Sequence, residues 1–163
     1  MFSLMPYETL LRVFPKQFMD ALYREEILIH ARNPKYRGVL EHPDIIASLT
    51  NTTCGDEITL YANVNCQMST HSTSSGLILN EVEGLNVKCR IEEVTFEGRG
   101  CIISQAAADL FLEHITGKTI DEIATMRPGD MLALLGSAVG ESRKPCALLA
   151  YEAMQRELVK HVT

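Results

Sequence analysis

The chain has 163 residues, 46% of them apolar, only 6% aromatic and none Trp, which suits one domain of ordinary size with a mostly aliphatic core. Fifteen Lys and Arg stand against 21 Asp and Glu, a net charge of −6; this argues against nonspecific nucleic-acid binding, which needs a basic, phosphate-neutralising surface, and for protein or small-ion partners. No stretch approaches the ~20 apolar residues of a membrane span, and the first twenty residues lack the basic start and unbroken apolar run of a signal peptide. The expected setting is the cytoplasm, with the cysteines reduced. Five cysteines there suggest metal or sulfur chemistry more than a disulfide frame.

In chain order, residues 7–14 suit a short helix before Pro15, and residues 1–20 read as an N-terminal extension. A helical stripe then runs over residues 16–32 through Phe18, Met19, Leu22, Tyr23, Ile27 and Ile29. Asn33-Pro34 stops it, because the residue before proline avoids helical geometry. After a loop holding Gly38 and Pro43, residues 44–49 read as a first strand. Beyond a turn at Cys54-Gly55-Asp56, the alternation of Ile58, Leu60, Ala62 and Val64 marks a half-buried strand. Val87, Cys89, Ile91, Val94 and Phe96 mark its partner, with a slip near Glu92-Glu93 that fits a bulge. Residues 67–86 between them, serine-rich and then apolar, read as an extended hairpin arm.

Gly98-Arg99-Gly100 lets the chain turn sharply into Cys101. Ser104 is a fair N-cap for a helix over residues 105–115, closed by Gly117. Thr119 with Glu122 spells a capping box. Arg127-Pro128-Gly129 breaks that helix, and Asp130 opens another through Leu135. After a loop between Gly136 and Gly140, a final helix begins at Ser142 or Lys144, with Pro145 in its first turn, and carries Leu148, Leu149, Tyr151, Met154 and Leu158. The fold class is α+β: a three-stranded antiparallel sheet packed against several helices, with the arm extending from it, in one domain over residues 1–163.

The chemistry resides in the cysteines. A thiol binds metal or attacks sulfur as its thiolate, which a helix N-terminus favours. Cys101 lies just before one expected helix, Cys146 lies in the first turn of another, and Cys54 sits in a glycine turn two residues from Asp56. Three thiolates and a carboxylate form a donor set that a tetrahedral zinc or an iron–sulfur centre accepts. The alternative is that these cysteines are small core residues. Cys66 and Cys89 suit two small strand residues at the base of the arm, or a second zinc site with His71. His30, His42, His71, His114 and His161 have no ligand spacing and read as surface or cap residues. No phosphate-cradling loop is present.

These motifs resemble the U-type iron–sulfur cluster assembly proteins, the family of IscU, SufU and the N-terminal part of NifU. The resemblance spans residues 22–158. It rests on Tyr23 through His30 with Asn33-Pro34 and Gly38, on Thr53-Cys54-Gly55-Asp56, on the run from Phe96 to Ala106 around Cys101, and on Arg143-Lys144-Pro145-Cys146-Ala147-Leu148-Leu149. It implies the IscU/SufU-like fold and places metal and cluster binding on Cys54, Asp56, Cys101 and Cys146. It further implies sulfur receipt from a cysteine desulfurase, with Cys54 or Cys146 taking the sulfur and Arg143 stabilising a departing thiolate. The product is then a [2Fe–2S] cluster for recipient apo-proteins, or persulfide sulfur relayed with zinc in the site. Such a protein is a scaffold or sulfur acceptor rather than an enzyme, unless it works as a zinc-dependent sulfurtransferase; a structural zinc site in an interaction protein is the blander alternative. Gly98-x-Gly100-Cys101-x-Ile103-Ser104 and Arg143 resemble SufU. Pro145 stands where IscU has a histidine, and the SufU insertion between the second and third cysteines is missing. The extra length lies instead in the arm, a candidate surface for desulfurase contact or self-association.

Overall fold

The computed structural model describes residues 16–68, 87–136 and 139–162. The helix expected over residues 7–14 and all but the first two residues of the 67–86 arm lie outside them. The first element, α1, spans Lys16–Arg32, with the stop at Asn33-Pro34 that the proline demands. Ile27 is buried on it, whereas Ile29, assigned to the same stripe from sequence, is exposed.

Three strands follow, β1 (Ile45–Asn51), β2 (Asp56–Met68) and β3 (Val87–Arg99), in one antiparallel sheet of order β1-β2-β3. One face carries Ile45, Ala47, Ile58, Leu60, Ala62, Ile91, Val94 and Phe96, all buried, as the two-residue alternation requires. The register passes from Asn63 opposite Glu93 to Val64 opposite Ile91, so Glu92 is the extra residue of a bulge at the expected slip. The outer edge of β3 is covered at two points. Gly38 and Tyr36 bond to the Phe96 backbone, and Gly117 and Lys118 to that of Ile91.

The helices close the buried face: α2 (Ile102–Ile115), α3 (Ile120–Ala124), α4 (Pro128–Leu134) and, after a 3₁₀ turn at Glu141–Arg143, α5 (Lys144–Val162). Helix α2 is buried at every residue from Ile103 to Asp109 and again at Phe111, Leu112 and Ile115. It packs between α1 and α5, while α5 lies across β1 and β2. Phe111 and Tyr151 meet edge-to-face at 6.2 Å. The capping box at Thr119 and Glu122 forms as expected, and Pro128 opens α4 at its first position.

Two expectations are corrected. Helix α2 begins at Ile102 with Cys101 as its N-cap, and Ser104 lies inside its first turn, donating to the Cys101 carbonyl at 2.9 Å. His30 is not a surface histidine: its Nδ1 lies 2.7 Å from Asp109, which is wholly buried and also accepts the Tyr36 amide. That pair ties α1 and the following loop to the central helix. Among the described residues no helix is long and apolar enough to cross a membrane.

Candidate metal centre

The sheet and two helix starts bring the chemistry-bearing side chains to one end of the fold. Asn51, the last residue of β1, pairs with Asp56, the first of β2. The turn between them closes through Gly55, whose amide donates to the Asn51 carbonyl at 2.8 Å and whose φ of +74° favours glycine. Cys54 is thereby exposed and Asp56 buried. On leaving β3 the chain passes through Gly100 into Cys101. A Cβ on Gly100 would stand 2.9 Å from the Asp56 Cγ and closer still to the Ser104 hydroxyl, so only glycine leaves room there. Cys146 enters from the first turn of α5 and is buried.

The ligand atoms of Cys54, Asp56 and Cys146 lie within 4.8 Å of one another, with the two sulfurs 3.5 Å apart. Cys101, half-buried, borders this trio, its thiol close enough to interact with both Asp56 and Cys146. One Asp56 oxygen accepts the Cys101 amide at 3.2 Å. The other is buried without a hydrogen-bond partner. Such an orphan costs roughly 1–3 kcal/mol unless a cation takes it. An unpaired carboxylate oxygen facing thiols fits a metal ion or a small cluster.

Electrostatics sorts the acid groups. Burial pushes the Asp56 carboxyl up, but the polar groups around it, the Ser104 hydroxyl and the Cys54 and Cys101 thiols with the Cys101 amide, outweigh it and leave its pKa below the ordinary value. Asp56 is therefore ionised at neutral pH, as a ligand must be. Cys146 goes the other way. Burial foremost, then the neighbouring thiols Cys54 and Cys101, push it up to about 12. The helix-start argument favours its thiolate, but desolvation outweighs it.

Of the residues proposed from sequence, Cys54, Asp56 and Cys146 come together, with Cys101 beside them. Arg143 stands three residues before Cys146. It lines an open groove of about 430 Å³ with Arg24, Ile27, Leu28, Ile102 and Ile103. Cys66 and Cys89 are neither lone strand residues nor a zinc pair with His71: they form a disulfide. The bulged register sets them directly opposite, with Cα atoms 3.9 Å apart, which corrects the expectation that all five cysteines are reduced. Ser104, expected only as a helix cap, lies at the site, and so does Asn51, which no sequence motif above includes although an Asn two residues before a backbone amide in a turn is an Asx-turn signal.

This is the donor set of a protein that holds a metal or cluster on mixed sulfur and oxygen ligands. The chain belongs to the NifU-like N terminal domain family, whose profile matches residues 22–72 and 82–163. It is 28% identical over 159 residues to the zinc-dependent sulfurtransferase SufU of Bacillus subtilis, covering 87% of this chain and 92% of that protein. To the iron–sulfur cluster assembly scaffold protein IscU of Thermotoga maritima it is 36% identical over 105 residues, 64% of this chain and 58% of that one. A crystal structure described as a SUF-system iron–sulfur cluster assembly scaffold protein from Fervidobacterium islandicum superposes with a TM-score of 0.58 at 25% identity, covering 82% and 94% of the two chains.

Proposed function

We propose that this protein is an iron–sulfur cluster assembly protein that accepts sulfur from a cysteine desulfurase at a site made by Cys54, Asp56, Cys101 and Cys146. The observation that carries the reading is the convergence of the Cys54, Asp56 and Cys146 ligand atoms within 4.8 Å, with one buried Asp56 oxygen unpaired. Zinc, when bound by these four residues, would supply Lewis-acid stabilisation that keeps the thiols deprotonated at neutral pH. A [2Fe–2S] cluster on the same residues is cargo, to be passed to recipient apo-proteins.

The chain's own residues divide the work. Cys54, exposed at the tip of its turn, is the thiol a partner reaches. Its thiolate attacks the terminal sulfur of the desulfurase persulfide, the donor S–S bond breaks, and the donor leaves as a thiolate. Cys54 is left as the persulfide. Cys146, 3.5 Å away, is placed to take that sulfur in a second exchange. Asp56 supplies a harder oxygen donor among sulfurs, which favours release of the cargo. Arg143, on the flanking groove, stabilises a departing thiolate. The protein is thus an acceptor and scaffold acting in the cytoplasm.

The test is anaerobic purification with zinc and iron measured, followed by addition of cysteine desulfurase, cysteine and ferrous iron. A visible-absorbing cluster on the protein, missing from Cys54→Ser and Cys101→Ser, supports assembly. Retained zinc with faster desulfurase turnover and no cluster supports relay alone. Retained zinc with neither response sinks both and returns a structural ion. Asp56→Ala is expected to slow cluster loss, and faster loss from that variant would remove the lability role given to the carboxylate.

A further inference from the structure

The turn that presents Cys54 is built by a side chain that also reaches the opposite cysteine. Asn51 uses its backbone carbonyl to accept the Gly55 amide at 2.8 Å and its side-chain Oδ1 to accept the Thr53 amide at 3.0 Å. The second bond fixes the carboxamide orientation. With the oxygen committed to an N–H, the amino group must face away from the turn, and there its Nδ2 lies 3.9 Å from the Cys146 sulfur. An amide flip would break the Thr53 bond and set two donors against each other. The two residues are 95 apart in sequence, one at the end of β1 and the other in the first turn of α5.

We propose that Asn51 is a positioning residue for the metal centre: it locks the Cys54 turn and donates an N–H to the Cys146 sulfur, tying both sulfur ligands to one carboxamide. This rests on the proposed metal site. A donor at a ligating sulfur withdraws electron density from it and holds its side chain in one direction, and loss of such outer partners typically weakens metal binding roughly 10–100-fold. The arrangement also makes the Cys54 and Cys146 sites interdependent, since a change at the turn moves the donor at Cys146.

The test uses variants that separate the two bonds. Asn51→Asp and Asn51→Ser keep an oxygen for the Thr53 amide and remove the donor to sulfur. In the cobalt(II)-loaded protein their sulfur-to-metal charge-transfer absorption should move to lower energy than in the wild type, because the Cys146 sulfur becomes the more electron-rich. Zinc should be lost to a chelator at least roughly tenfold more readily. A turn-forming role alone would leave both readouts at their wild-type values in these variants, and that result overturns the proposal. Should either variant misfold, the wild-type protein loaded with cadmium-113 carries the test: scalar coupling between the metal and the Asn51 side-chain amide protons is expected through the Cys146 sulfur, and its absence counts against the hydrogen bond. If the wild type takes up none of these metals, the metal-site reading falls and this role falls with it. If it takes them up and only the Asn51 signatures are missing, the role alone is lost.

Discussion

The hairpin of β2 and β3 carries cysteine chemistry at both ends, and the two ends behave differently. At the near end Cys54, Cys101 and Cys146 arrive from a turn and two helix starts, and the Cys54 and Cys146 sulfurs stop 3.5 Å apart without forming a disulfide. At the far end Cys66 and Cys89 face each other across one ladder and are joined covalently. Two cysteines opposed in the same ladder have their backbones fixed at bonding distance. Cysteines delivered by separate elements are held by different backbones, with Asp56 and Asn51 between them, and remain available as ligands. Convergence from independent elements is what keeps thiols usable here.

The largest test of this contrast is removal of one sulfur at each end. Cys146→Ser should weaken metal binding by more than the roughly 100-fold upper range for outer partners, while Cys89→Ser should leave metal stoichiometry unchanged; elemental analysis of both proteins decides. Loss of the far-end bond should appear in stability instead. Its sequence separation is 23, and opening a loop of that order costs roughly 2–4 kcal/mol. A lower denaturant midpoint is therefore expected for Cys66→Ser, and for the wild type under dithiol reductant, with no change in bound metal. A reductant effect on metal content alone would break the comparison.

Gly100→Ala strikes the near end through packing. The added methyl enters the space of Asp56 and Ser104, and we expect destabilisation of roughly 1–3 kcal/mol together with reduced metal uptake, read by urea unfolding and metal analysis. The finest distinction lies within the near end itself. In metal-free protein Cys54, being exposed, should alkylate fastest. Cys146, buried and pushed up to about 12, should alkylate slowest, its rate still climbing at pH 10 because the thiolate fraction rises until pH reaches the pKa. Mass spectrometry of the labelled peptides reads both. A Cys146 rate that levels off near pH 8 would contradict the burial argument.

Much of this was legible in the sequence because it is local. Alternating Ile58, Leu60 and Ala62 wrote a strand, Thr119 and Glu122 wrote a capping box, and the slip at Glu92 showed the bulge. The cysteine motifs marked the site's residues. What the sequence did not show depends on partners far along the chain. Asp109 is an acid inside an apolar helix until His30 and the Tyr36 amide, 79 and 73 residues away, are brought to it. Ser104 looked like the better cap than Cys101 because propensity weighs the side chain alone, whereas an Asp56 oxygen, 45 residues away, meets the Cys101 amide at this helix start. The rise at Cys146 was hidden for the same reason: helix position is a local property, and burial is not.

The bulge at Glu92 acts as an indexing notch. On the near side of it Asn63 faces Glu93, and continuing that phase without interruption would carry Cys66 opposite Arg90, leaving Cys89 one step out of line. A single supernumerary residue shifts the phase so that sulfur meets sulfur. Deleting Glu92 should therefore remove the bulge and leave Val64 opposite Ile91 and Cys66 opposite Cys89, with the stapled end intact, whereas pairing Glu92 into the ladder would part the two sulfurs.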